Sequence, residues 1–149
     1  VATSSEVGPR ATAAWEERIR LVEEGGMESL TQFTHRLYTP GFSEAHPEAI
    51  NKHVQAILNN DPRAYVKATR AVSKYNYTSE LANITCPTLI LQGDRDVLTP
   101  PGGSVIMSRN IPGAQLKIYE DCGHGIPREK REEFQEDILE FLRLNVDAR

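Results

Sequence analysis

The segment Pro87-Thr88-Leu89-Ile90-Leu91 reads as a continuous apolar run that breaks at once into Gln92-Gly93-Asp94-Arg95-Asp96. A strand with no polar face belongs in a parallel sheet covered on both sides. A second strand, Gln115-Leu116-Lys117-Ile118-Tyr119, follows the turn Ile111-Pro112-Gly113 and runs out into Asp121-Cys122-Gly123-His124-Gly125. A short helix is predicted between them, from about Gly103 to Asn110. Beyond them Phe134, Ile138, Phe141 and Leu142 mark one face of a last helix, with Glu132, Glu133, Gln135, Glu136 and Glu140 elsewhere on it. Strand, helix, strand, helix at this spacing is a βαβ unit with a closing helix, so the class is α/β. Two parallel strands leave exposed edges and open α/β sheets have more of them, so the sheet reads as incomplete.

Residues 10–80 carry a different pattern, helical and without a convincing strand. Trp15, Ile19 and Val22 share a face that Gly25-Gly26 ends, and Met27, Leu30, Phe33 (or Thr34) and Leu37 repeat it up to Thr39-Pro40. Ile50, Val54, Ile57 and Leu58 mark a third helix starting near His46-Pro47. Asp61-Pro62 supplies an N-cap with proline in the first turn of a fourth, lined by Tyr65, Val66, Thr69 and Val72. Single apolar stripes of this kind must pack on one another. The division expected is 1–9, a short stretch ending at the turn signal Gly8-Pro9; 10–80, helical; and 81–149, the α/β segment.

Composition narrows the function. A net charge of −4 with no basic stripe argues against nucleic-acid binding. No apolar run approaches the ~20 residues that span a bilayer. The start Val1-Ala2-Thr3-Ser4-Ser5 lacks the basic and apolar regions of a signal peptide, and Cys86 and Cys122 are too few for a disulfide framework. A cytoplasmic setting is therefore expected, with the Asn76-Tyr77-Thr78 and Asn83-Ile84-Thr85 patterns unmodified. His35, His46 and His53 have no partner carboxylate at metal-ligand spacing, so no zinc site is expected.

The chemistry concentrates at the two strand ends. Catalytic groups in open α/β sheets gather beyond the carboxyl ends of the strands. Asp96 and His124 stand there, acid before histidine, and make two thirds of a Ser-His-Asp apparatus. His124 would take and return the nucleophile's proton, while Asp96 fixes the imidazole tautomer. Asp94 better fits a solvated loop residue, and Cys122 a small buried filler rather than a nucleophile. No Gly-x-Ser-x-Gly occurs in the 149 residues, so the nucleophile is expected on another polypeptide.

The stretch Cys86-Pro87-Thr88-Leu89-Ile90-Leu91-Gln92-Gly93-Asp94-Arg95-Asp96-Val97-Leu98-Thr99-Pro100 resembles the acid-bearing strand and loop of α/β-hydrolases. Ile111-Pro112-Gly113-Ala114, Gly123-His124 and the Phe134…Phe141-Leu142 helix resemble that family's closing segment. Trp15-Glu16-Glu17-Arg18-Ile19, Gly25-Gly26-Met27-Glu28-Ser29-Leu30 and Asp61-Pro62-x-x-Tyr65 are similar to the helical cap of hydrolases like 3-oxoadipate enol-lactonase. The resemblance implies that Asp96 is the triad acid, His124 the triad histidine, 10–80 the cap and 1–9 the remnant of a core strand before it. It also implies a cofactor-independent serine hydrolase acting on a small ester, lactone or related carbonyl; an esterase, dehalogenase or carbon–carbon bond hydrolase would use the same residues. The earlier strands, oxyanion-hole loop and nucleophile elbow have no counterpart here. The N-terminal half of such a hydrolase, as a separate chain, is the expected partner, and the chain alone is expected to be inactive. The alternative is a non-catalytic, truncated relative acting as a binding or self-associating module.

Overall fold

The computed structural model describes residues 4–146. Two compact units emerge: Ser5–His35 with Pro40–Tyr77, and Arg36–Thr39 with the chain from Thr78 on. Val1, Ala2 and Thr3, which open the predicted strand remnant, lie outside the described residues.

In the helical unit, α1 (Pro9–Gly25) begins with its proline in the first turn, where no amide donor is needed, and ends at Gly26, whose φ of 68° closes the helix through its N–H to Val22 O. The next segment, Met27–Arg36, winds as a 3₁₀ helix. Ser29, Thr31, Gln32 and Thr34 each donate a side-chain hydrogen bond to the carbonyl three residues back. Polar side chains that take up local carbonyls in this way compete with the α-helical ladder. A short helix, α2 (Pro40–Ala45), which the periodicity does not reveal, precedes α3 (Pro47–Leu58).

The α4 helix (Pro62–Val72) starts as predicted, with the Asp61 carboxylate accepting the Arg63 N–H at 2.9 Å. Ile19, Val22, Met27, Leu30 and Val66 form the core of this unit, with Phe33, Ile57 and Tyr65 against it. Burial is uneven along these stripes. In α3 only Ala49 is buried, its larger apolar residues lying half-covered, and Val72 is 43% exposed at the C-terminal end of α4. Ser5–Val7 run antiparallel to Tyr75–Tyr77 through one bridge at Glu6 and Asn76, so the described part of residues 1–9 pairs with the end of the helical stretch.

In the second unit a 3₁₀ turn (Thr78–Asn83) leads to β1 (Leu89–Gly93), α5 (Gly102–Asn110), β2 (Gln115–Tyr119), α6 (Ile126–Glu129) and α7 (Arg131–Val146). The β1 strand starts two residues later than the apolar run, because Pro87 has no N–H for a ladder. The strands are parallel, with Leu89 opposite Gln115 and Gly93 opposite Tyr119, and form a two-stranded sheet. Ile90 and Leu116 pack with Leu81, Met107 and Ile111 on one face, while Leu91, Tyr119, Cys122, Ile126 and Phe134 cluster on the other. The second strand is only partly covered: Gln115 is exposed, Ile118 is 43% exposed and Tyr119 is buried.

Gly93 ends β1 where the turn after β2 comes closest to it. A Cβ there would run into the backbone carbonyls of Cys122 and Gly123. Backbone cannot move aside as a flexible side chain does, so Gly93→Ala must force the two strand ends apart. Chemical denaturation is expected to show a loss of about 3 kcal/mol, the upper part of the usual cost of overpacking; an unchanged midpoint would show that the turns do not meet this closely.

Candidate active site

The acid loop is built by local hydrogen bonding. Beyond β1, Asp94 N–H reaches Tyr119 O at 3.0 Å and Arg95 N–H reaches Cys122 O at 2.9 Å, so pairing continues past the strand. The chain then turns at Asp96, which is only 6% exposed. Its Oδ1 accepts the amides of Leu98 (2.8 Å) and Thr99 (2.9 Å), and its Oδ2 accepts the Thr99 hydroxyl at 2.7 Å and His124 Nδ1–H at 2.8 Å. Behind the loop the buried Gln92 donates from Nε2 to Thr99 O and Gly93 O, and accepts the Ser104 hydroxyl at 2.5 Å.

The histidine loop is tied from several directions. Asp121 adopts a left-handed conformation (φ 48°) just after β2. Cys122 N–H then donates to Asp94 Oδ1 at 3.1 Å. Gly123 N–H donates to Glu129 Oε1 at 2.9 Å, and Gly125 N–H to Leu37 O at 2.8 Å. Gly125 must lack a side chain, since a Cβ there would enter the Tyr38 ring. His124 is thus held at both neighbours, with its ring about one third exposed.

The bonding pattern fixes protons. Four donors surround the Asp96 carboxylate, enough to use its lone pairs, so it is an acceptor only and ionised. Burial pushes this carboxyl up. The hydrogen bonds from His124 and Thr99 outweigh that effect and bring it below the ordinary carboxylate range. Since Oδ2 accepts, Nδ1 carries the ring proton, and Nε2 has no hydrogen-bond partner among the described residues. The bond to Asp96 raises the His124 pKa above its ordinary 6.5, against the opposing effect of burial. An imidazole so held presents a free Nε2 lone pair as a general base and a stabilised imidazolium after proton transfer.

The two residues singled out by sequence, Asp96 and His124, therefore touch. Cys122 is fully buried and its thiol is pushed up to about 12, chiefly by burial and then by Glu129, which suits packing and not nucleophilic attack. Among the described residues no cluster of three His, Cys, Asp or Glu side chains is arranged to hold a metal, and no helix is long and apolar enough to cross a membrane. Asp94 departs from the solvated-loop expectation. It is exposed, yet it straps one strand-end turn to the other and is held below the ordinary carboxylate range, first by the Cys122 amide. Sequence reasoning also missed Thr99 and Glu129. Thr99 had a legible signal, a hydroxyl three residues after an aspartate at a turn; Glu129 had none.

Comparison with known proteins gives this geometry its context. Residues 11–131 match the family model described as serine aminopeptidase, S33. The chain is 28% identical over 130 residues to 3-oxoadipate enol-lactonase 1 of Acinetobacter baylyi, covering 87% of this chain and 48% of that protein. It is 30% identical to a thermophilic esterase from Thermogutta terrifontis, with a TM-score of 0.83 over 94% of this chain and 52% of the other. The enol-lactonase of Burkholderia xenovorans superposes with a TM-score of 0.88 over 94% of this chain and 53% of that one; at 20% identity this likeness concerns the fold. The chain spans about half the length of the curated relatives it matches. By this match over most of its length, the chain belongs to the serine aminopeptidase S33 family of the α/β-hydrolase superfamily.

Proposed function

We propose that the chain supplies the acid and histidine of a Ser-His-Asp hydrolase, with the nucleophile contributed by a polypeptide outside these 149 residues. The single observation that carries this reading is the 2.8 Å contact between His124 Nδ1 and Asp96 Oδ2, with Nε2 left free. In the complete enzyme His124 accepts the serine proton as the hydroxyl adds to an ester or lactone carbonyl, then returns it to the leaving oxygen. Asp96 holds the ring and stabilises its charged form. The similarity to enol-lactonase and esterase supports a small ester or lactone substrate and no cofactor, and residues 10–80 act as the cap that selects it. The completing partner is the half of such a hydrolase that bears the nucleophile elbow and oxyanion hole.

The test is complementation. The chain is purified alone and with a polypeptide bearing that half, association is read by native mass spectrometry, and turnover of p-nitrophenyl esters is followed. Turnover is expected only from the assembled pair. Activity of the isolated chain that survives His124→Ala overturns the proposal, as does a stable complex that turns nothing over. A second reading, a self-associating module without catalysis, is favoured by the exposure of Ile118 on β2 and of Leu139, Leu142 and Leu144 on α7. Homo-oligomers that neither bind the completing half nor hydrolyse esters would support it.

A further inference from the structure

We propose that Glu129 is a positioning residue that sets the reach of His124 by clamping its turn to the segment Arg36–Thr39. Its carboxylate joins the turn at Gly123 to Thr39, which lies ninety positions from Glu129 along the chain. Oε1 accepts the amide of Gly123, the residue before His124, at 2.9 Å. Oε2 accepts both the amide of Thr39 (2.8 Å) and its hydroxyl (2.7 Å). On the other side of His124, Gly125 N–H donates to Leu37 O at 2.8 Å, and the Tyr38 ring fills the space that a Gly125 side chain would need. The histidine is thus bracketed by two backbone anchors that both lead to residues 37–39, and one of them runs through a single side chain.

A charged acceptor serving three donors makes short, strong bonds, and no other residue type does this here. Glutamine keeps the shape but presents an NH₂ toward donors, leaving at least one of them unpaired. Aspartate is a methylene too short to span both. The consequence is functional because Asp96 and Thr99 fix the ring only from the Nδ1 side. The height of the ring over the site, and hence the position of Nε2, is set by its backbone turn. Displacement by about 1 Å costs up to about 10²-fold in rate even where every reacting group remains.

This inference rests on His124 being the triad histidine, and its test separates the two ideas. The ring and amide signals of His124, Gly123 and Gly125 are followed by NMR titration of the chain in wild-type, Glu129→Gln, Glu129→Asp and Thr39→Val forms, with far-UV circular dichroism as a check on folding. Glu129→Gln is expected to shift the Gly123 and Gly125 amides, weaken the downfield Nδ1–H signal and move the His124 midpoint back toward its ordinary value. Glu129→Asp should restore part of each effect. In the assembled enzyme the Gln variant should lose about tenfold in kcat with KM changed by less than about twofold. Should Glu129→Gln fail to fold, Thr39→Val decides, since it removes one hydroxyl and keeps both backbone bonds; it must move the same signals in the same direction by less. A folded Glu129→Gln, or failing that a folded Thr39→Val, with unmoved His124 signals overturns the inference and leaves the hydrolase reading standing. Moved signals in a protein that never hydrolyses an ester would uphold the clamp and sink the hydrolase.

Discussion

His124→Ala in the assembled enzyme is expected to lower turnover by about 10⁶-fold, the scale of losing a triad base, without unfolding the chain. The two halves of this expectation come from different features. Turnover collapses because no other imidazole or carboxylate among the hydrogen-bonded groups of the site offers a free lone pair toward a nucleophile. The fold survives because the ring is part-exposed and its hydrogen bonds go only to Asp96 and Thr99. When it is removed, Asp96 keeps the amides of Leu98 and Thr99 and the Thr99 hydroxyl, so no buried charge is stranded. Steady-state ester hydrolysis and a thermal melt together check the prediction. Turnover within tenfold of wild type would remove His124 from the chemistry, whereas a collapsed melt would assign it to the fold.

What the sequence disclosed and what it withheld divide along the range of the interactions involved. β2 was legible to the residue because Gln115 to Tyr119 lies between a proline-glycine turn and a polar turn, both local signals. α4 was legible because Asp61-Pro62 is a self-contained cap. The pairing of Asp96 with His124 could be inferred because consecutive parallel strands bring their carboxyl ends together, which is a property of topology. By contrast Glu129 takes its meaning from Thr39, and Asp94 from Cys122; no local pattern announces a carboxylate whose donors lie far along the chain. The 3₁₀ winding of Met27–Arg36 was hidden for another reason. Its apolar residues fit three- and four-residue spacing alike, and the choice falls to side-chain bonds from Ser29, Thr31, Gln32 and Thr34 that periodicity ignores. The half-exposed β2 shows the limit of strand patterning, since a strand's burial depends on what lies beside it as much as on its own residues.

Asp96→Asn is expected to keep the loop intact and cost about 10⁴-fold in turnover, by putting the imidazole proton on the wrong nitrogen. The asparagine oxygen can continue to accept the Leu98 and Thr99 amides, so its NH₂ stands where Oδ2 stood and donates to Nδ1. The ring proton must then reside on Nε2, where a base is needed, and the lone pair faces the wrong way. The same change acts on pH dependence. In the wild type His124 titrates above 6.5 because of Asp96, so the acid limb of the kcat/KM profile lies above that value; in the variant the bond that raises it is gone and the midpoint falls. For stability the signs are opposite at the two ends. The raised histidine contributes fully below 6.5 and loses its contribution as pH rises through its folded value. The depressed aspartate contributes above 3.8 and loses its contribution as pH falls through its folded value. The penalty of Asp96→Asn should therefore be greatest between about 3.8 and 6.5 and shrink on the alkaline side as the histidine discharges. Urea midpoints of both proteins across pH, beside an NMR titration of His124, measure this directly. A stability difference that does not vary with pH, with an unmoved histidine midpoint, would mean that the carboxylate and the ring do not share a proton-dependent bond in solution.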